Sequence, residues 1–335
     1  MTLTHVPGSP CPAQGDQWDA HPSGRIVVVC GPTASGKTAL AVALAQVLDG
    51  EVVSADSMQI YRRMDIGTAK PTPQEQAGIP HHMLDVAEPE ESFSVARYVE
   101  MATPIVDHIL ARGRVPIVAG GTGLYLDHLV AGRQFAPFPE DGRLRARLQQ
   151  RAAQEGLDQL RAELALADPD SAARLHPHDE KRILRALEVW LATGKTLTRH
   201  NQDSQALPPR YRTLTLRLDF QNRETLWERI NRRVDDMMER GLADEVRLLL
   251  DSGLNPHCTA MQAIGYKELA AALQTGSPLQ PAVELVKLRS RQYSKRQRTW
   301  FARNRDAHVL LWENIPDISA AVEISTQLAM DFGVR

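Results

Sequence analysis

The chain has little of what would place it among unusual proteins. Its 335 residues include three cysteines, Cys11, Cys30 and Cys258, far apart and with no C-x-x-C pair. That spacing argues against a structural zinc site or a disulfide framework and fits a reducing, cytoplasmic setting. Long apolar runs are missing as well. The nearest, Ala39 to Leu48, falls well short of the roughly 18 residues a membrane helix needs, so no membrane association is expected. Charge of one sign is not in excess: the formal net charge is -2, so any polyanion must be met by a local basic patch. Hydrophobic residues make up 43% and charged residues 24%, a balance that excludes a wholly disordered or collagen-like chain. The length suggests about two domains, or one core with a large insertion.

Residues 1–24 carry Pro7, Pro10, Pro12 and Pro22 with several Gly and Ser, and neither the apolar core of a signal peptide nor the arginines of a transit peptide. They read as a disordered tail. Order is expected from Arg25. Ile26 to Cys30 is a β-branched run typical of a strand buried on both faces, and Thr38 to Leu48 is Ala- and Leu-rich helix. Strands follow at Glu51 to Ser54 and Val115 to Ala119, a rhythm that indicates a parallel α/β sheet. From about Ala131 to Gln205 the β-rich runs stop. Helical sequence takes over there, interrupted by Pro137, Pro139, Pro169 and Pro177, with Gly194 as the end of its last helix. An alternating strand returns at Tyr211 to Leu218, and Leu226, Ile230, Val234 and Met237 mark one buried helical face.

Gly31-Pro32-Thr33-Ala34-Ser35-Gly36-Lys37-Thr38 matches G-x-x-x-x-G-K-[ST], between an expected strand and an expected helix. Its backbone N–H groups suit phosphate oxygens, Lys37 suits outer phosphates, and the Thr38 hydroxyl suits Mg²⁺. Nucleoside triphosphatases also need an apolar strand ending in a magnesium-binding Asp. Here the Val115 strand runs into Gly120-Gly121-Thr122-Gly123, with no carboxylate. Asp56, after the other strand, faces the crevice as metal ligand, general base or simple cap.

His81-His82 with Asp85 lacks a second ligand cluster and reads as a hydrogen-bonding loop rather than a metal site. Arg229 and Arg233 share a helix face, which spacing alone assigns to solvent, although an arginine fork also suits pyrophosphate. Between Glu284 and Asp306, Lys287, Arg289, Arg291, Lys295, Arg296, Arg298, Arg303 and Arg305 occur with no acid among them. That stripe reads as a footprint for nucleic acid, with Tyr293 and Trp300 packing the helix to the core.

These residues resemble the tRNA dimethylallyltransferases of bacterial type, from about Ile26 to Arg303. The blocks that carry the resemblance are GPTASGKT, DSMQIYRRMDIGTAKP, HHMLD, VAGGTGLY, HPHDEKRILRALE with GKTL, GYKE and SKRQRTWFARN. It departs from the family at Lys181, where Gln is frequent, and at Arg63, where Gly is common. The resemblance implies an α/β, P-loop NTPase-like parallel sheet flanked by helices, formed by residues 25–130 and 211–330. A mainly helical insertion, 131–210, would clasp the anticodon stem-loop.

It further implies that Gly31, Thr33, Ala34, Ser35, Gly36, Lys37 and Thr38 hold the diphosphate of dimethylallyl diphosphate with Mg²⁺ and Arg233. Asp56 is the implied general base, and Thr122 fixes the reacting groups beside it. Implied contacts to tRNA are Asp56, Ser57, Met58, Gln59 and Thr122; Lys181, Arg182, Ile183, Leu184 and Arg185; Gln262, Gly265, Tyr266 and Lys267; and Lys295, Arg296, Gln297, Arg298, Trp300 and Arg303. A monomer is expected. The rivals are a P-loop small-molecule kinase, which the missing Asp disfavours, and a non-catalytic tRNA-binding module.

Overall fold

The structure, a computed structural model, describes residues 3–8, 24–133, 135–136 and 142–334. It divides into two compact units, Met1–Gly132 with Arg210–Arg335, and Arg133–Pro209. Pro137 and Pro139 lie outside the described residues, as do 1–2 and 9–23 of the expected tail.

The strands of the first unit are β1 (Leu3–Val6), β2 (Arg25–Cys30), β3 (Gly50–Ser54), β4 (His81–His82), β5 (Val115–Gly120), β6 (Arg212–Phe220) and β7 (His308–Trp312). They form one seven-stranded sheet in the order β1-β7-β6-β2-β5-β3-β4, parallel throughout except where β1 meets β7. Ile26 to Cys30 and all of β3 are buried, as strands covered on both faces must be. Two expectations need correction. Leu3–Val6 is not tail but an edge strand, added because its backbone finds the open edge of β7. His81-His82 is not loop but β4, since both residues pair with β3.

Helices of this unit are α1 (Lys37–Val47), α2 (Pro73–Gln76), α3 (Val95–Ala111) and α4 (Gly123–Ala131) before the second unit. That unit consists of α5 (Arg143–Glu155), α6 (Leu157–Ala167), α7 (Pro169–Arg174), α8 (Glu180–Thr193) and α9 (Leu197–Ala206). The first unit resumes with α10 (Arg223–Glu239), α11 (Leu242–Asp251), a 3-10 turn at Ala260–Gln262, α12 (Tyr266–Thr275), α13 (Leu279–Phe301) and α14 (Ile318–Asp331). Leu226, Ile230, Val234 and Met237 are the buried face of α10, as their spacing requires. In the second unit, Leu148, Leu160, Leu164, Ile183, Leu184 and Leu187 form the core. Gly194 ends α8 in a left-handed conformation, but α9 follows it, started by the Thr196 side chain accepting from Arg199 N–H.

The segment between β3 and β4 is long and short of secondary structure, so side chains must satisfy its backbone. The Glu245 carboxylate of α11 accepts the N–H groups of Asp65 and Ile66 at 2.8 Å and of Gly67 at 3.1 Å. Buried Lys70 donates to Tyr61 O at 2.9 Å, Asp65 Oδ1 at 2.5 Å and Asp85 Oδ1 at 2.6 Å. The stretch that opens at Asp56 is thereby a fixed structure.

Glu51 in β3 is 1% exposed and bonds His82 Nε2, Arg112 and Arg114. Burial pushes its carboxyl up, but those three partners override it and hold it at about 2. A depressed native pKa contributes stability that is present above the unfolded value and lost as pH falls toward 2. We expect Glu51→Gln to lower stability by about 2–3 kcal/mol at pH 7, with the deficit shrinking between pH 4.5 and 2. Denaturant titrations of both proteins across that range measure it.

Candidate active site

Three adjacent parallel strands, β2, β5 and β3, end level with one another: Cys30 lies opposite Gly120, and Ser54 opposite Ala119. Residues 31–38 follow β2, Gly121 and Thr122 follow β5, and Asp56 follows β3. Pairing continues past the strand ends, with Ala55 N–H donating to Ala119 O at 2.8 Å and Thr122 N–H to Ala55 O at 3.1 Å. Gly120 permits that approach, because a Cβ there would sit 2.1 Å from Ala55 O.

Side chains hold three carbonyls of the 31–38 loop. Lys37 Nζ donates to Pro32 O at 2.7 Å, Arg229 Nε to Ala34 O at 3.1 Å and Trp312 Nε1 to Ser35 O at 2.9 Å. A planar trans peptide points its N–H opposite its carbonyl, so the amides of Ser35 and Gly36 face the other way. Among the described residues, the amides of Ser35, Gly36, Lys37 and Thr38 have no hydrogen-bond partner. The buried Ser35 hydroxyl has none either. Thr33 is different, since its N–H is taken by Gln297 Oε1 at 2.8 Å. Gly31 lies against β6, where a Cβ would come within 2.4 Å of Leu218 O.

Cations crowd this loop. Desolvation, then the nearby Arg233, push the Lys37 ammonium down to about 8, with Asp56 and Cys30 opposing. Arg229 and Arg233 are half-buried, and burial lowers both guanidinium pKa values. The solvent-facing reading of this pair is therefore corrected: α10 turns both inward while Arg232 stays exposed. Arg233 has no hydrogen bond or ion pair among the described residues, so its donors are available.

Asp56 Oδ1 accepts Met58 N–H at 2.9 Å and Gln59 N–H at 3.4 Å, which caps a turn rather than a helix. Its other oxygen takes no hydrogen bond from the described residues. Thr122 Oγ1 accepts Ser57 N–H at 3.0 Å and donates to Ser57 Oγ at 3.3 Å, tying the β5 loop to the residue beside Asp56.

The other expected contact residues divide by burial. Lys181, Arg182, Gln262, Lys267, Lys295, Arg296 and Arg303 are exposed. Ile183, Leu184 and Tyr266 are core residues at 0% exposure, while Gly265 is buried and Gln297 only 5% exposed, so none of their side chains is presented to a partner. Gln59 is turned inward, bonded to Ser54 Oγ, Thr68 O and Ala69 O. Arg185 pairs with buried Glu188 at 2.9 Å. The basic stripe is thinner than its sequence suggests, because acids on other elements meet it. Lys287 bonds Asp235, Arg298 bonds Asp219, and Arg291 donates to Asn231. Trp300 lies against Gly123, bonds Asp127 and carries Arg303 3.9 Å above its ring. Sequence reasoning did not anticipate the roles of Glu245, Lys70 and Trp312. Glu245 and Trp312 act on loops distant in sequence, Lys70 on partners 5 to 15 residues away, and no local pattern announces any of the three.

A family profile described as IPP transferase matches residues 59–305. A tRNA dimethylallyltransferase of Geobacillus thermodenitrificans is 48% identical over 279 residues, 83% of this chain and 87% of that protein. That of Pelobacter propionicus is 46% identical over 298 residues, 89% and 95% of the two chains. The chain belongs to the tRNA dimethylallyltransferase (IPP transferase) family. Solved members of the family share its fold. The tRNA isopentenylpyrophosphate transferase of Bacillus halodurans superposes with a TM-score of 0.67 at 39% identity, covering 91% of this chain and 95% of that one. A eukaryotic dimethylallyltransferase acting on tRNA reaches 0.80 at 31% identity, covering 92% and 80%. The profile match begins after the 31–38 loop, so the geometry of that loop is an observation separate from the profile.

Because Lys37 titrates near 8, anion affinity should fall as pH rises through that value. We expect the ratio of wild-type to Lys37→Met affinity for inorganic pyrophosphate to drop at least severalfold between pH 7 and pH 9. Calorimetry in matched buffers, where ligand protonation cancels between the two proteins, reads the ratio.

Proposed function

We propose that the chain transfers a dimethylallyl group from dimethylallyl diphosphate to the N6 amine of the adenosine 3′ to the anticodon of tRNA. One observation carries this assignment to the site. Unpartnered amides at the start of α1 lie beside Lys37, and the carboxylate that acts on both Lys37 and Arg233 is Asp56. The cations and amides suit a diphosphate, and the carboxylate suits a proton. A kinase reading lacks its carboxylate, since β5 ends in Gly120.

In the reaction, N6 attacks the allylic carbon as the carbon–oxygen bond to diphosphate breaks, its electron pair leaving with the oxygen. Lys37, Arg233 and the amides of Ser35 to Thr38 bind the leaving group, where charge grows most, and so act on the transition state. Asp56 accepts the N6 proton on the oxygen not used in capping. An adenine amine is a weak nucleophile, so alignment of the base matters as much as proton removal, and Thr122 with Ser57 positions that wall. The target base has to leave its stack to enter the crevice.

Mg²⁺ fits the available donors only in company with the diphosphate. Among the described residues no group of three or more His, Cys, Asp or Glu could hold a metal. The Thr38 hydroxyl would be the protein's donor to it, alongside diphosphate oxygens and water, the kind of ligand set Mg²⁺ ordinarily takes. When bound, it neutralises charge on the leaving group.

RNA is met by exposed cations: Lys267, Lys295, Arg296 and Arg303 in the first unit, Lys181 and Arg182 in the second. No helix among the described residues is long and apolar enough to cross a membrane.

Labelled dimethylallyl diphosphate, Mg²⁺ and unmodified tRNA test the assignment directly, with label expected at that adenosine. Asp56→Ala should cut transfer by about 100-fold or more while tRNA affinity stays within about threefold. Near-normal transfer by that variant removes Asp56 as the base. In filter binding across a salt series, Lys295→Ala with Arg296→Ala should flatten the slope of log affinity against log salt by about 1–2. An unchanged slope takes this face of α13 out of the interface.

A further inference from the structure

Gln297 lies in the block that resembles RNA-contacting sequence, yet it is buried and both ends of its side chain are engaged. Its Oε1 accepts Thr33 N–H at 2.8 Å, and its Nε2 donates to Gly121 O at 2.9 Å. A backbone N–H can only donate and a carbonyl can only accept, so these partners settle which way the amide points. We propose that Gln297 is a positioning residue that sets the spacing between the loop holding the diphosphate and the Thr122 loop beside Asp56. The proposal rests on the functional reading above and adds a residue that touches neither substrate.

The chain of contacts is continuous. The Pro32–Thr33 peptide is held at both ends, its carbonyl by Lys37 Nζ at 2.7 Å and its N–H by Gln297. On the far side, Gly121 precedes Thr122, whose hydroxyl takes the N–H of Ser57 next to Asp56. Gln297 therefore stands between the anion-binding lysine and the base. Tyr293, one turn earlier on α13, lies near the side chains of both Thr122 and Gln297. Gly121 is shaped to this contact: a Cβ there would come within 2.3 Å of Gln297 Nε2. Losing the bridge leaves a part-buried donor and a buried acceptor unpaired, and each loop can then relax independently of the other. Reacting atoms misplaced by about 1 Å lose on the order of 100-fold in rate.

Two full-length variants test this in single-turnover assays normalised to sites that bind inorganic pyrophosphate. Gln297→Leu removes both bonds, and we expect the rate to fall about 10- to 100-fold with KM for tRNA and for dimethylallyl diphosphate within about threefold of wild type. Gln297→Glu keeps the acceptor but, when ionised, loses the donor and faces the Gly121 carbonyl. Protonated, it regains one donor and one acceptor, and its buried site raises its pKa. The ratio of variant to wild-type rate should therefore climb as pH falls from 8 to 5.5. A general loss of stability would lower the melting temperature at every pH and give no such acid rescue. Three results overturn the proposal: a wild-type rate in Gln297→Leu, a loss carried by KM for tRNA, or a pH-independent deficit in Gln297→Glu. If Gln297→Leu does not fold, the pH ratio of Gln297→Glu decides alone. Absence of transfer by the wild-type enzyme is a separate outcome, which counts against the functional reading and not against the bridge.

Discussion

Parallel pairing of β2 with β5 and of β5 with β3 is the constraint from which the site follows. Neighbouring strands run about 4.8 Å apart, so three loops that begin at the same level start within about 10 Å of one another. Residues from positions 31–38, 56 and 120–122 meet for that reason and for no local one. The ladder also extends beyond the strands, through Ala55 and Thr122, which leaves little freedom in how the second and third loops approach. Small residues are required where backbone meets backbone, and Gly120 and Gly31 fill those places.

On this frame the site is built at an electrostatic cost. Lys37, Arg229 and Arg233 are brought together with limited solvent, and burial lowers the pKa of each. The Ala34 and Ser35 carbonyls are held by Arg229 and Trp312, so the unpartnered amides behind them, those of Ser35 and Gly36, add to the positive field rather than cancel it. Such an arrangement is unfavourable in itself, and the surrounding core must hold it. Trp312 shows how the two are joined: its ring belongs to the main core cluster and its indole N–H fixes the loop.

What could be read in the sequence was what is local. The phosphate loop is contiguous, β2 and β5 are unbroken apolar runs, and the α10 face repeats within one helix, so each carries its own signature. The orientation of Arg229 and Arg233 is not local, because it depends on where α10 docks. How much of the basic stripe is free is not local either: Asp219 and Asp235 pair with Arg298 and Lys287 from β6 and α10. Leu3–Val6 is too short for its alternation to be telling, and its pairing partner lies at the other end of the chain. The GYKE and HPHDEKRILRALE blocks likewise mix exposed cations with core residues such as Tyr266 and Leu184, and a motif does not separate the two roles.

Helix α13 gives the plainest case of two roles in one motif. Tyr293, Gln297 and Trp300 lie on its inner side; Tyr293 lies near Thr122, Gln297 bonds the Thr33 and Gly121 backbones, and Trp300 lies against Gly123. At 1.5 Å of rise per residue, that inner line runs about 10 Å, close to the span of the three strand-end loops. A single rigid element can thus brace all of them, which a loop of the same length could not do without paying conformational entropy. Lys295 and Arg296 stand between those inner residues but point outward. On the proposed function, RNA contact at the outer side and the geometry of the 31–38 loop would share this one rigid element.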